Sequence, residues 1–334
     1  MTDASSSASR SAGAGVLPVA LLACSDYAAP RLRQAVFQAL EAAGPRVNAG
    51  ARVLVKPNLI TAQPLACASP EVTAAACAWL LERGARVEVA DSPGFGRAEA
   101  VARKIGLEEA LRPLKLRVRA LNRPVPVRLS LSASSPACAA FLEGGPRFMI
   151  SRRALECDLI LSVPRVKAHS QMLLTMAVKN CFGCVSGLRK ALIHTREGRD
   201  PGCFADCLAA LWAALPPVAG LADGVRAMHV TGPSRGKPFA LGLVGASPSA
   251  VALDEALCAV LGLPPGATPL GAALERRRAE GCGAAGWRAA YVRGRPEDFD
   301  ARGFELPRDL AHTSFHPARF AKSCARRLWA ACKP

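Results

Sequence analysis

Apolar runs and helix-like periodicities alternate along this chain. VLPVALLAC (16–24) reads as a strand, and PRLRQAVFQALEAAG (30–44), with apolar residues three and four apart, as a helix. RVLVKPN (52–58) is a buried strand ending in polar residues, and SPEVTAAACAWLLERGA (69–85) is a helix. That helix is punctuated at both ends: Ser69 is placed to cap it, Pro70 suits its first turn, and Gly84 ends it. RVEVAD (86–91) is the next strand and AEAVARKIG (98–106) the next helix. Residues 107–150 are less regular, with RVRALN and VPVRLSLS as candidate strands and SASSPACAA as a loop. The rhythm then resumes. CDLILSVP (157–164) predicts a buried strand, QMLLTMAVKN (171–180) and FADCLAALWAAL (204–215) predict helices, VAGLAD (218–223) and FALGLVGAS (239–247) strands, and SAVALDEALCAVLG (249–262) a helix. Beyond about residue 270 the pattern weakens, and no internal repeat is visible.

Strands alternating with helices predict an α/β fold, a mostly parallel sheet or sheets with flanking helices, in two α/β regions around a crevice. The expected organisation is a disordered tail over 1–15, an N-terminal region over 16–150, a second region over 151–270 and a basic C-terminal extension over 271–334. Polar residues recur at predicted strand ends: Lys56 and Asn58, Asp91, then Arg165, Lys167 and His169, then Asp223. In open parallel sheets ligands bind beyond the carboxyl ends of the strands, which is where these residues fall. Polar loops are also the rule on any surface, so only the set as a whole points to a crevice.

Composition narrows the classes. The 334 residues are 51% apolar and 21% charged, enough for a sizeable core. No apolar run suggests a transmembrane segment, and no basic start precedes an apolar stretch, so neither a membrane span nor a secretory signal is expected. The formal net charge of +17 is scattered rather than gathered in one tract, and two Tyr and four Trp offer few stacking platforms. A specific nucleic-acid partner is therefore not expected. Thirteen scattered cysteines suit reduced thiols in the cytoplasm.

Lysine usage is the sharpest internal signal. Of the 43 basic residues only nine are Lys (56, 104, 115, 167, 179, 190, 237, 322 and 333); the rest are Arg. Where positive charge alone is needed, this chain uses Arg. A retained Lys suggests that a compact ammonium, able to lose its proton, matters. Three of the nine lie within 167–190, and His169 and His194 bracket that stretch. Lys56, Lys167 and Lys179 are candidates to hold a carboxylate or phosphate. His169 is a candidate for proton transfer, with Asp91 or Asp223 to orient it. It reads equally as a loop histidine bonded to backbone. Asn58 and Asn180 are candidate ligand contacts, Asn180 alternatively capping the turn at Phe182–Gly183.

Other stretches offer alternatives. Cys181, Cys184, Cys203 and Cys207 lie within 27 residues, so a metal or iron–sulfur cluster is one cofactor reading. Buried apolar thiols, or a lone reactive Cys184, are the others. DSPGFGR (91–97) is an anion-binding turn or a plain tight turn; it is not a G-x-G-x-x-G fingerprint. TGPSRGKP (231–238), with Gly232, Gly236 and Lys237, lacks a P-loop ending and suits a loop closing over a crevice. Asp254 is a buried structural partner or a group positioning a lysine. The basic segment 317–334 docks on the protein's own core or on an anionic surface.

KPN (56–58), the Asp91–Ser92 strand end, KAH (167–169), KNCFGCVSG (179–187), His194, LADGVRAMHVTGPSRGKP (221–238) and SPSAVALDEALCAVLG (247–262) together resemble domain of unknown function 362. The resemblance implies an α/β fold and a polar site built from these blocks, Gly183 and His194 included. Many members of that family carry a ferredoxin-like module with two C-x-x-C-x-x-C-x-x-x-C-P runs. Here the C-terminal region holds only Cys282, Cys324 and Cys332, with no such run. A more distant likeness is to the lactate racemase family, which uses a nickel pincer cofactor; its glycine-rich signature around the cofactor histidines is not found. Three functions stay open: a cytoplasmic crevice enzyme acting on an anionic small molecule, a metal or iron–sulfur protein in redox or cofactor maturation, and a non-catalytic binding protein.

Overall fold

The computed structural model describes residues 15–94, 96–132, 147–186, 190, 193, 200–281 and 288–310. His194, Cys282, Cys324, Cys332, the tail before residue 15, most of the 132–140 loop and the segment 317–334 lie outside the described residues.

The strands in chain order are β1 (Val16–Ala23), β2 (Arg52–Pro57), β3 (Arg86–Asp91), β4 (Val118–Ala120), β5 (Pro124–Arg128), β6 (Arg147–Ser151), β7 (Leu159–Val163), β8 (Arg165–His169), β9 (Leu173–Thr175), β10 (Val218–His229), β11 (Lys237–Phe239), β12 (Leu243–Ser247) and β13 (Arg288–Arg293). The helices are α1 (Ala29–Ala43), α2 (Pro70–Glu82), α3 (Ala98–Lys104), α4 (Leu107–Leu111), α5 (Arg152–Glu156), α6 (Ala177–Asn180), α7 (Pro201–Ala213), α8 (Ala250–Val260) and α9 (Pro269–Ala279).

Eleven strands form one sheet, in the order β13-β1-β12-β10-β7-β2-β3-β4, with β8 and β11 paired to β10 and β9 to β8; β5 and β6 form a separate hairpin. The run from β10 through β7, β2 and β3 to β4 is parallel, and β12 joins β10 and β1 antiparallel. Both α/β regions thus share this sheet. Helices α1–α4 pack on one face and α6–α9 on the other, each over its own apolar cluster. Burial on both faces explains the unbroken VLV of β2: Val53 and Val55 enter one cluster and Leu54 the other.

The chain moves outward in one direction through β2, β3 and β4, and in the other through β7 and β10. The reversal falls between β2 and β7, with Lys56 opposite Ser162 and Pro57 opposite Val163. At such a switch point the loops leaving neighbouring strands diverge and open a crevice at the carboxyl ends.

Helix α2 follows its punctuation: the Ser69 side chain accepts from the Val72 N–H, and Pro70 opens the helix. Two segments depart from expectation. The stretch 171–180 is not one helix. Leu173–Thr175 pair with Lys167–His169 as β9, and only Ala177–Asn180 are helical. An apolar stretch buried all round carries no clear period, and pairing with β8 decides it. Likewise FALGLVGAS is broken at Gly242, whose φ of +68° suits glycine, so β11 and β12 are separate strands. Strand β10 runs on to His229, and α9 and β13 give order beyond residue 270.

Candidate functional site

Strand β2 carries Lys56 to the switch point and stops at Pro57. The Lys56 ammonium lies 2.6 Å from Asp91 Oδ1 at the end of β3, with the two side chains 1% and 2% exposed. It also donates to Asn180 Oδ1 at 3.0 Å. Asp91 Oδ2 accepts the Leu59 N–H at 2.9 Å. Asn180 is clamped in turn, its amide nitrogen donating to the Lys56 carbonyl and to Ser162 Oγ, and its oxygen accepting from Asn58.

Helix α6, which presents Lys179 and Asn180, is held by Asp254. That carboxylate accepts the N–H groups of Ala177 and Val178 at 2.7 and 3.0 Å, and burial pushes its pKa up to about 7. Asp254 therefore serves as a structural partner, and positions the lysine through the backbone.

Gly183 lies flat on the ion pair. A Cβ built there falls 2.2 Å from Asp91 Oδ1 and 2.3 Å from Lys56 Nζ. The glycine of the KN-x-FG block is the only residue type that leaves this pair its space.

A second buried cluster adjoins the first. Arg165 pairs with Asp223 at 3.2 Å and donates to Tyr27 Oη and to the carbonyls of Cys67 and Arg226. Asp223 also accepts from Tyr27 Oη at 2.9 Å and from the Ser69 N–H at 2.8 Å. Burial, then the Asp223 charge, raise the Tyr27 hydroxyl well above its usual range. Asp91 and Asp223 are thus committed to Lys56 and Arg165; neither is the orienting partner expected for His169. His169, at the end of β8, instead accepts the N–H groups of Gln171 and Met172 on Nδ1, so a neutral ring carries its proton on Nε2.

Lys167 and Lys179 complete the site. Lys167 is fully buried and donates to the Ala66 carbonyl. Lys179 is 8% exposed, and among the described residues its ammonium has no hydrogen-bond or ion-pair partner. Burial pulls each down to about 7, the neighbouring Lys179 and Arg165 charges adding to the effect at Lys167 and the Lys56 charge at Lys179. Among the described residues two buried polar atoms nearby lack partners: Asn58 Oδ1, and Thr175 Oγ1, whose residue stands opposite Lys167 across β8 and β9.

The remaining candidates lie around this centre. Lys190 donates to the Ser92 carbonyl, just past Asp91. The 230–236 loop packs on the end of β8: the Ser170 N–H donates to the Gly232 carbonyl, and a Cβ at Gly232 would strike the Ala168 carbonyl. A Cβ at Gly236 would likewise crowd the carbonyls of Thr231 and His229. Lys237 is exposed on β11, opposite His229.

The four cysteines of the metal reading are all buried. Cys181, Cys184 and Cys207 face the apolar core and Cys203 is buried on α7. Among the described residues no three His, Cys, Asp or Glu side chains converge as a metal site. Burial raises the Cys181 thiol well above its usual value and Cys184 to about 12, which disfavours the thiolate that a metal or a nucleophile needs. The donors that do converge are ammonium and amide groups, which do not fit a metal or a cluster.

Sequence reasoning missed Tyr27 and Ser162. Tyr27 is one of only two tyrosines in the chain, and Ser162 is the one polar residue of β7; scarcity was the available signal in both cases.

The family described as Domain of unknown function (DUF362) matches residues 53–259. A thylakoid-associated protein of Synechocystis sp. is 31% identical over 320 residues, 94% of this chain and 95% of that protein. Among solved structures, the lactate racemase apoprotein from Thermoanaerobacterium thermosaccharolyticum aligns over 71% of this chain with 12% identity and a TM-score of 0.41. A protein from Thermotoga maritima aligns over 67%, also with 12% identity and a TM-score of 0.41. The chain spans about half the length of these two, 54% and 56%.

Proposed function

The chain belongs to the DUF362 family, and from that premise we propose that it is a crevice enzyme acting on a small anionic molecule held at the carboxyl ends of β2, β3 and β8. One observation carries this reading. Lys56, Arg165, Lys167 and Lys179 are buried together at 1%, 4%, 0% and 8% exposure, with only Asp91 and Asp223 paired to them among the described residues. Two cationic side chains are left over. Burying an unpaired ammonium is costly, so the site either sheds protons or takes up an anion. Lys167 and Lys179 are the groups that meet the anion, with Asn58 and Asn180 beside them. Lys56, pinned by Asp91, sets the geometry. His169 is the candidate for proton transfer through Nε2. The cytoplasm is the proposed location, while the Synechocystis relative is named as thylakoid-associated. Among the described residues no helix is long and apolar enough to cross a membrane.

The test is thermal melting with and without sulfate, phosphate or oxalate across pH. Lys167 and Lys179 sit at about 7 in the fold, against roughly 10.4 when unfolded. Between those values the unfolded chain binds more protons, so the anion-free protein gains stability as pH rises from about 7 towards 10. A bound anion favours the charged ammonium groups. Its stabilising shift is expected to be largest below about pH 7 and to fade by pH 9. Absence of a shift with every anion at every pH overturns the reading.

A further inference from the structure

The three buried strand-end lysines are not equivalent. Lys56 is held by a carboxylate and two oxygen acceptors, Asp91, Asn180 and the Pro57 carbonyl. Lys167 donates to the Ala66 carbonyl. Lys179 alone of the three has nothing to donate to among the described residues, yet it is more than nine-tenths buried. Its backbone is fixed more firmly than a spare anchor requires: Asp254 holds the two preceding N–H groups and the following Asn180 is locked by four hydrogen bonds. Among the described residues no carboxylate forms an ion pair with it; Asp91 and Asp223 are committed elsewhere and Asp254 faces backbone. An amine that is desolvated, unpartnered and next to another cation is the arrangement that keeps a lysine uncharged and nucleophilic. Lys56, bonded to the adjoining Asn180, supplies a neighbouring positive charge, and among the described residues Asn58 Oδ1 and Thr175 Oγ1 are polar atoms awaiting a partner.

We propose that Lys179 condenses with the carbonyl carbon of a small anionic aldehyde or ketone, such as a 2-oxo acid, to form an imine. The Nζ lone pair attacks the carbonyl carbon, a C–N bond forms, and the carbonyl oxygen leaves as water carrying the two amine protons. No oxidant or reductant is consumed. Lys167 faces the substrate's carboxylate. The assignment rests on the anion-binding reading above and names its substrate class.

The full chain is incubated with glyoxylate and sodium cyanoborohydride at neutral pH, then mapped by peptide mass spectrometry. The expected result is a reduced adduct at Lys179, at least about tenfold above that at the exposed lysines Lys104, Lys115 and Lys237, which stand in water. Excess sulfate suppresses it, and Lys179→Arg abolishes it. The wild-type map is decisive even if that variant folds poorly. Labelling spread evenly over exposed lysines, or none at Lys179, overturns the proposal. If sulfate still raises the melting temperature in that case, Lys179 is an anion anchor and the anion-binding reading stands. If sulfate has no effect either, both fail.

Discussion

The two ends of the parallel strands carry positive charge in opposite ways. At the carboxyl ends it is three lysines and Arg165, buried, against two carboxylates. Towards the amino ends and along edge strand β4 it is almost all arginine, exposed, around two adjoining cavities of about 760 and 420 Å³ that share Val87, Glu88 and Arg153. There Arg52 pairs with Asp158 at 3.0 Å and Arg153 pairs with Glu88. Arg86, Lys115, Arg117, Arg119 and Arg123 form no ion pair among the described residues, but water screens them. An exposed charge costs little and an arginine cannot usefully lose its proton. A buried one must be paired, neutralised or met by a ligand, and only lysine offers all three near neutral pH. Much of the +17 net charge therefore says nothing about the site, while three lysines say most of it.

The comparison breaks first at Lys56. Replacing it (Lys56→Met) leaves Asp91 buried with the Leu59 N–H as its remaining partner among the described residues. A loss of about 3–5 kcal/mol in urea unfolding is expected, because an uncompensated buried charge remains. A loss below about 1 kcal/mol would mean that the pair is no more demanding than a surface one. Next comes Gly183→Ala, whose Cβ overlaps both members of the pair. It should cost about 1–3 kcal/mol and weaken the sulfate-induced melting shift, since Asp91 or Lys56 must move. A variant with unchanged stability and an unchanged shift would show that the pair has room to spare. The smallest effect is expected at the other end. Arg117→Glu with Arg119→Glu should move the melting temperature by less than about 2 °C and leave the sulfate shift intact. Loss of that shift would tie the two ends together and undo the contrast.

The contrast also marks what could be read from the sequence. Strand β2 was legible because both its faces are buried, so VLV followed by Lys-Pro-Asn can hardly be anything but a strand end. The lysine centre was legible from scarcity. What escaped was pairing. Nothing near Asp91 in the chain shows that its partner lies 35 residues away. Nor does Asp223 advertise that Arg165 and Tyr27, 196 residues from it in the latter case, will claim it before His169 can. The KN-x-FG glycine was visible as a block, but that it clears space for an ion pair is a matter of packing. The helix expected over 171–180 failed for a similar reason: its strand half is decided by a neighbour, not by local period.

The clamp on the ion pair is made across the seam between the two halves of the sheet. Asn180 follows Lys56 by 124 residues. During synthesis Lys56 and Asp91 therefore leave the ribosome long before the amide that fixes them and the glycine that covers them. Until then the strand ends stay open to water, where separated charges are cheap. The site comes into being only when the second half of the chain closes over the first, so assembly of the chemistry and completion of the fold are one event.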